Sequence, residues 1–147
     1  MIVLGIDPGA SGAIVRMVDG TVDAVCKLKG IPRTEHWSRV APLADGAALI
    51  LIEEVTLGHR LCDSYVGLRT GAQATGIETR TIRPVAWQRA VGAGPSGTST
   101  FRDGRAYRVR KRLLRDRCVA LLGEDYRDAA DAALIAWVAT QHLEKTT

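Results

Sequence analysis

Carboxylates stand at three widely separated places in this 147-residue chain. Asp7 ends the apolar run of "MIVLGIDPGASGAI", Glu53 and Glu54 end that of "AALILIEEV", and Asp128 and Asp131 stand three apart in "RDAADAALIAW". An acid at the end of a buried element carries a desolvation cost unless a cation meets it. Several that converge form the donor set of a hard divalent ion such as Mg2+, which prefers carboxylate oxygens and water. Two such ions a few ångströms apart suit phosphodiester cleavage, one helping to generate hydroxide and the other steadying the leaving oxygen.

The charge distribution supplies what such a site needs. Residues 80–117 hold eleven Arg and Lys against Asp103 and Asp116, a balance of +9, whereas the whole chain carries only +4. A basic tract beside an acidic pocket fits a polyanionic partner, with Arg105, Arg108, Arg110, Lys111, Arg112 and Arg115 placed to bind backbone phosphates. Such contacts hold the backbone and read no bases. Cys26, Cys62 and Cys118 are far apart and form no CxxC pair. They read as small apolar side chains in a reducing compartment, and Cys62 with His59 lacks the second ligand pair of a zinc site. No stretch reaches the length of a membrane span, and "MIVLGI" is too short and uncharged for a signal peptide, so a cytoplasmic chain is expected.

The elements that must position these groups follow from hydrophobic patterning. Residues 2–6 read as a buried strand. "AIVRMV" and "TVDAVCKL" follow as strands joined at Asp19-Gly20, a hairpin signal, giving an antiparallel three-strand meander. Residues 32–46 form a short helix or loop ending at Gly46, and "AALILIEEV" suits a strand covered on both faces. "CDSYVGLRTGAQATG" is a helix with Asp63 or Ser64 as N-cap, and "TRTIRP" is a strand ended by Pro84. The Gly/Ser/Thr-rich stretch "GAGPSGTSTFRDG" is a flexible insertion, and a helix over residues 105–122 has a stripe of Val109, Leu113, Leu114, Cys118, Leu121 and Leu122. The last element is an alanine-rich helix whose Ala129, Ala130, Ala132 and Ala133 let it lie close against the sheet. Asp128 and Asp131 project from one side of it. Residues 1–147 are expected to form a single α/β domain, a mixed five-stranded sheet flanked by helices. Adjacent strand residues face opposite ways, so only one of Glu53 and Glu54 shares a side with Asp7. Patterning does not say which.

"GIDPGASGAI", "LIEEV" and "DAADAALIA" resemble, in the same order, the three acidic motifs of the RuvC Holliday junction resolvases, and the resemblance runs from Met1 to about Leu143. It implies a ribonuclease H-like fold and a homodimer that cuts four-way DNA with Mg2+, with Mn2+ as substitute, leaving 5′-phosphate ends. It selects Glu53 over Glu54 and makes Asp7, Glu53, Asp128 and Asp131 the metal-binding and catalytic set. The chain departs from the family where Pro84 leads to Trp87-Gln88 instead of a valine-lysine pair. Arg89 is the candidate replacement for that lysine. A second family lysine has possible substitutes in Arg105, Arg108 or Lys111. Phe101, ahead of Tyr65, is the candidate wedge at a junction centre. Trp37, Trp87 and Trp137 read as core or interface fillers. Two other readings remain. One is a branched-DNA-binding protein without activity, and the other is a sugar-kinase or actin-like ATPase, for which 147 residues do not hold the two domains needed.

Overall fold

A computed structural model describes residues 1–55, 62–93 and 104–145, with the side chains of residues 62 and 104–106 outside that description. Strands β1 (Ile2–Asp7), β2 (Ala13–Val18) and β3 (Thr21–Lys27) form the expected antiparallel meander. Asp19 and Gly20 both have positive φ, 48° and 79°, as the twist-matched two-residue hairpin turn requires. Two 3-10 turns, Arg33–Glu35 and Ala41–Ala44, flank the one-turn helix α1 (His36–Val40). Then come β4 (Leu49–Glu53), α2 (Cys62–Ala74) and β5 (Glu78–Ile82). The sheet order is β3-β2-β1-β4-β5, with β1–β4 and β4–β5 parallel.

Alternate residues of the central strands feed two separate cores. Even positions (Leu4, Ile6, Ile14, Ile50, Ile52) pack under α1 and α2 with Tyr65 and Leu68. Odd positions (Val3, Val15, Met17, Leu49, Leu51) pack under α5 (Ala130–Glu144) and its neighbours. The α5 backbone lies directly on β1: a Cβ at Gly5 would fall 2.3 Å from Ala132 O and 2.2 Å from Ala136 N. The close approach of the alanine-rich helix to the sheet is as the sequence pattern predicts, and the strand position it meets has no side chain.

Four local expectations change. Patterning gives no element between the strand ended by Pro84 and the Gly/Ser/Thr-rich stretch, but residues 84–90 form a helix, α3 (Pro84–Ala90), with Pro84 at its start where a missing N–H is harmless. Ser64 is no cap. It lies inside α2, fully buried, 2.7 Å from His36 Nδ1. His36 Nε2 donates to the Ile31 carbonyl at 3.0 Å, which leaves Nδ1 to accept the serine hydroxyl. In α4 (Gly104–Leu122) only Leu114 and Cys118 of the stripe are buried. Val109 is 59% exposed and Leu121 faces outward. Tyr65 belongs to the core and is unavailable as a wedge. Phe101 lies outside the described residues.

Candidate metal centre and nucleic-acid groove

Asp7 and Glu53 end adjacent parallel strands on the odd-numbered side. The register pairs Ile6 with Ile52, so the two acids stand side by side at the carboxyl edge of the sheet, facing α5. In open α/β sheets this edge is where ligands bind. Glu54 is exposed, with its carboxylate 3.5 Å from Arg83 Nε, and it lines the same cavity from that outer position. Asp131, in the first turn of α5 and 9% exposed, completes a group of three facing a cavity of about 360 Å³. The loop after Asp7 folds back tightly. A Cβ at Gly12 would lie 2.1 Å from the Asp7 carbonyl oxygen, so only glycine lets the loop pass beneath it.

Asp128 does not join that group. It sits on a 3-10 turn, Arg127–Ala129, is 69% exposed, and lies 3.8 Å from Lys27 Nζ. Asp128 and Asp131 share one side only on a continuous helix. Here α5 starts at Ala130, and Arg127 is left-handed (φ 49°), so the three-residue spacing no longer aligns them. Asp128 lines a second, larger groove of about 920 Å³, and Asp7 borders both.

Two side chains hold the acids, one read from the sequence as a core filler and the other as a phosphate binder and possible substitute for a family lysine. Trp87, fully buried, donates its indole N–H to Glu53 Oε2 at 2.6 Å. Lys111 Nζ reaches in from α4 to Asp131 Oδ2 at 2.5 Å, above the Tyr107 ring at 5.9 Å. Arg110 lines the same small cavity, and its buried Nε has no hydrogen-bond partner among the described residues. Arg108, Arg112 and Arg115 line the large groove. Arg89 stands apart on the exposed side of α3, and Gln88 faces the acids instead. The side chain of Arg105 lies outside the described residues. Nothing in the sequence marked Trp87 as a partner of Glu53. The one available signal was its place after Pro84, where the RuvC pattern differs.

The electrostatics agree with the geometry. Burial, then the charges of Glu53 and Asp131, hold the Asp7 carboxyl well above its ordinary range, against an opposing pull from Lys111. Burial likewise raises Glu53 to about 7, although the Trp87 hydrogen bond, Lys111 and Arg110 favour its ionised form. Burial would lower the Lys111 ammonium, but Asp131 and Asp7 hold it above the usual lysine value. Buried negative charge therefore faces a cavity without full compensation, from oxygen donors alone. That chemistry suits a hard divalent ion. As the side chains stand, no three acidic, histidine or cysteine groups among the described residues enclose an ion, and the Lys111 ammonium lies among the acids.

This sheet order, with helices on both faces, defines the ribonuclease H-like fold in its RuvC form. No protein-family model matches the chain, and no curated protein matches it in sequence. Solved structures do match. RuvC of Thermus thermophilus is 18% identical with a TM-score of 0.67, over 100% of this chain and 98% of that one. The same organism's RuvC in complex with Holliday junction substrate gives 17% and 0.69, over 100% and 97%. The fowlpox virus resolvase in complex with substrate Holliday junction DNA gives 14% and 0.64, over 97% and 99%. Among the described residues no helix is long and apolar enough to cross a membrane.

Proposed function

We propose that this chain is a divalent-metal-dependent endonuclease for branched DNA, with four-way junctions as its leading substrate. The observation that carries the reading is the meeting of Asp7, Glu53 and Asp131 beside a groove lined by arginines. Asp7, Glu53 and Asp131 would hold Mg2+ or Mn2+, with Asp128 at the rim as a further oxygen donor. Bound there, the ion supplies a Lewis acid and an acidified water for in-line attack on a phosphodiester. Trp87 holds Glu53 through Oε2 and leaves its Oε1 without that hydrogen bond. Arg110, which lines the cavity beside Glu53, brings its guanidinium charge to a phosphate there, the role the resemblance gave to a lysine. Arg108, Arg112 and Arg115 hold the backbone on either side of the cut. A homodimer would place two such sites on opposed strands, matching the two-fold symmetry of a junction.

One observation favours a second reading, a branched-DNA-binding protein that does not cut. Lys111 Nζ already stands where a metal's charge is needed. A synthetic four-way junction incubated with the protein and Mg2+ or Mn2+ decides between them. Paired nicks by wild type, abolished in Asp7→Asn, are expected. Retarded mobility without cutting in either metal selects the second reading, and cutting that survives Asp7→Asn removes the first.

A further inference from the structure

The large groove has two walls. One is α4, with the arginines of the basic tract. The other comes from the acidic remainder of the chain: Lys27 at the end of β3, Lys29 in the turn behind it, and Arg127 in the 3-10 turn before α5 all line the same groove.

These three cations are built into the rim of the candidate site. The Leu28 N–H donates to the Gly12 carbonyl at 2.9 Å, tying the end of β3 to the loop behind Asp7, so Lys27 and Lys29 bracket a fixed point. Arg127 is held left-handed (φ 49°), an uncommon state for a side-chain-bearing residue, with its N–H donated to Asp125 Oδ1 at 2.8 Å. Lys27 has an exposed, long contact to Asp128 at 3.8 Å, a kind of ion pair of little strength. Lys29 and Arg127 have no ion pair among the described residues. The groove lining holds Lys27, Lys29, Arg108, Lys111, Arg112, Arg115 and Arg127 against Asp7, Asp116, Asp125 and Asp128, so positive charge remains in excess.

We infer that Lys27, Lys29 and Arg127 form a second phosphate-binding arm, so that a nucleic-acid backbone passes between them and α4 on its way over Asp7. This rests on the proposed reading of the site as DNA-directed and adds the path of the strand. Lys27 exchanges Asp128 for a phosphate when the strand arrives.

The test is metal-free binding of the intact protein to a fluorescent synthetic four-way junction, measured by anisotropy across a salt series. Each lost phosphate contact reduces the slope of log affinity against log salt by about 0.9. Lys29→Gln/Arg127→Gln should flatten the slope by about 2 and weaken binding by roughly tens of fold near 0.1 M salt. Arg39→Gln/Arg69→Gln, which removes the same charge from exposed positions on the α1–α2 side, should leave the slope unchanged. Because Arg127 holds a special backbone conformation, Lys29→Gln alone is measured too and should flatten the slope by about 1. Equal slopes for wild type and both groove variants overturn the arm while leaving the proposed function standing. A wild type that binds no branched DNA overturns both, and equal losses in groove and control variants reduce the effect to net charge and overturn the arm.

Discussion

Trp87 is fully buried, and its one polar atom is spent on Glu53. A hydrogen bond to an ionised group is worth about 1.5–3 kcal/mol, and here it opposes the burial that pushes the carboxyl upward. Replacing Trp87 with Phe keeps most of the volume and removes the donor. Glu53 should then titrate higher still, and the ion response at neutral pH should weaken. The measurement is the rise in Tm on adding Mn2+ at pH 7, expected to shrink in Trp87→Phe and to recover at pH 8.5. Val91→Ala, a cavity in the same core, should lower Tm yet keep the wild-type Mn2+ response. Were both variants to respond alike, Trp87 would be filler and nothing more. Asp7, the Glu53-Glu54 pair, and Asp128 with Asp131 stood out in the sequence because acids at the ends of buried elements are costly. The choice of Glu53 over Glu54 could not be made from patterning, since β1 and β4 are buried on both faces and show no polar alternation. The pairing of Trp87 with Glu53 and of Lys111 with Asp131 was not legible for another reason: the partners lie 34 and 20 residues apart.

At the scale of elements, the site exists because α5 lies on β1 without an intervening layer of side chains. The alanine pattern announced a slim helix. The matching gap at Gly5 is a property of the pair and shows only once they are packed. Likewise the hairpin at Asp19-Gly20 was legible because its turn chemistry is local. Helix α3 was missed because Pro84 serves equally as a strand stop and a helix start. Asp128 was misplaced because i, i+3 geometry assumes a helix that here begins two residues later. The Gly5 contact yields a sharp expectation. In Gly5→Ala the new methyl would meet backbone atoms of Ala132 and Ala136, which cannot rotate away. Overpacking of this kind costs about 1–3 kcal/mol and should lower Tm by roughly 5–10 °C. The helix must lift, carrying Asp131 away from Asp7, so the Mn2+-induced rise in Tm should fall as well. A variant with wild-type Tm and wild-type ion response would show that α5 and β1 are not in direct backbone contact.

For the whole molecule, the Asp7 and Glu53 carboxyls beside a lysine make stability depend on pH in an unusual direction. Most acids in folded proteins titrate low and stabilise the fold as pH rises. Glu53 titrates near 7 instead of 4.5, and Asp7 also lies above its ordinary 3.8. Between pH 4.5 and 7 the folded state therefore keeps a proton on Glu53 that the unfolded chain has released. The folded state binds more protons across that window, so stability falls as pH rises through it. Above pH 7 the full cost is present, on the order of 3 kcal/mol for Glu53. Lys111 does not offset this slope. Its folded value is raised above 10.5, so its contribution is fully present throughout the window and is lost only at more alkaline pH. Glu53→Gln keeps an oxygen for the Trp87 N–H but has no charge to bury. It should flatten the pH dependence between 4.5 and 7 and be more stable than wild type at pH 8, as read by denaturant unfolding at a series of pH values. A divalent ion that binds only the folded state should reverse the wild-type trend. Protons compete with it below pH 7, so the Tm gain from 10 mM Mg2+, roughly a physiological-to-excess addition, should grow from pH 6 to pH 8 in wild type and be small at every pH in Glu53→Gln. Stability that rises steadily from pH 4.5 to 7 without metal would mean that Glu53 is solvated or paired, and the buried carboxylate cluster would be lost with it.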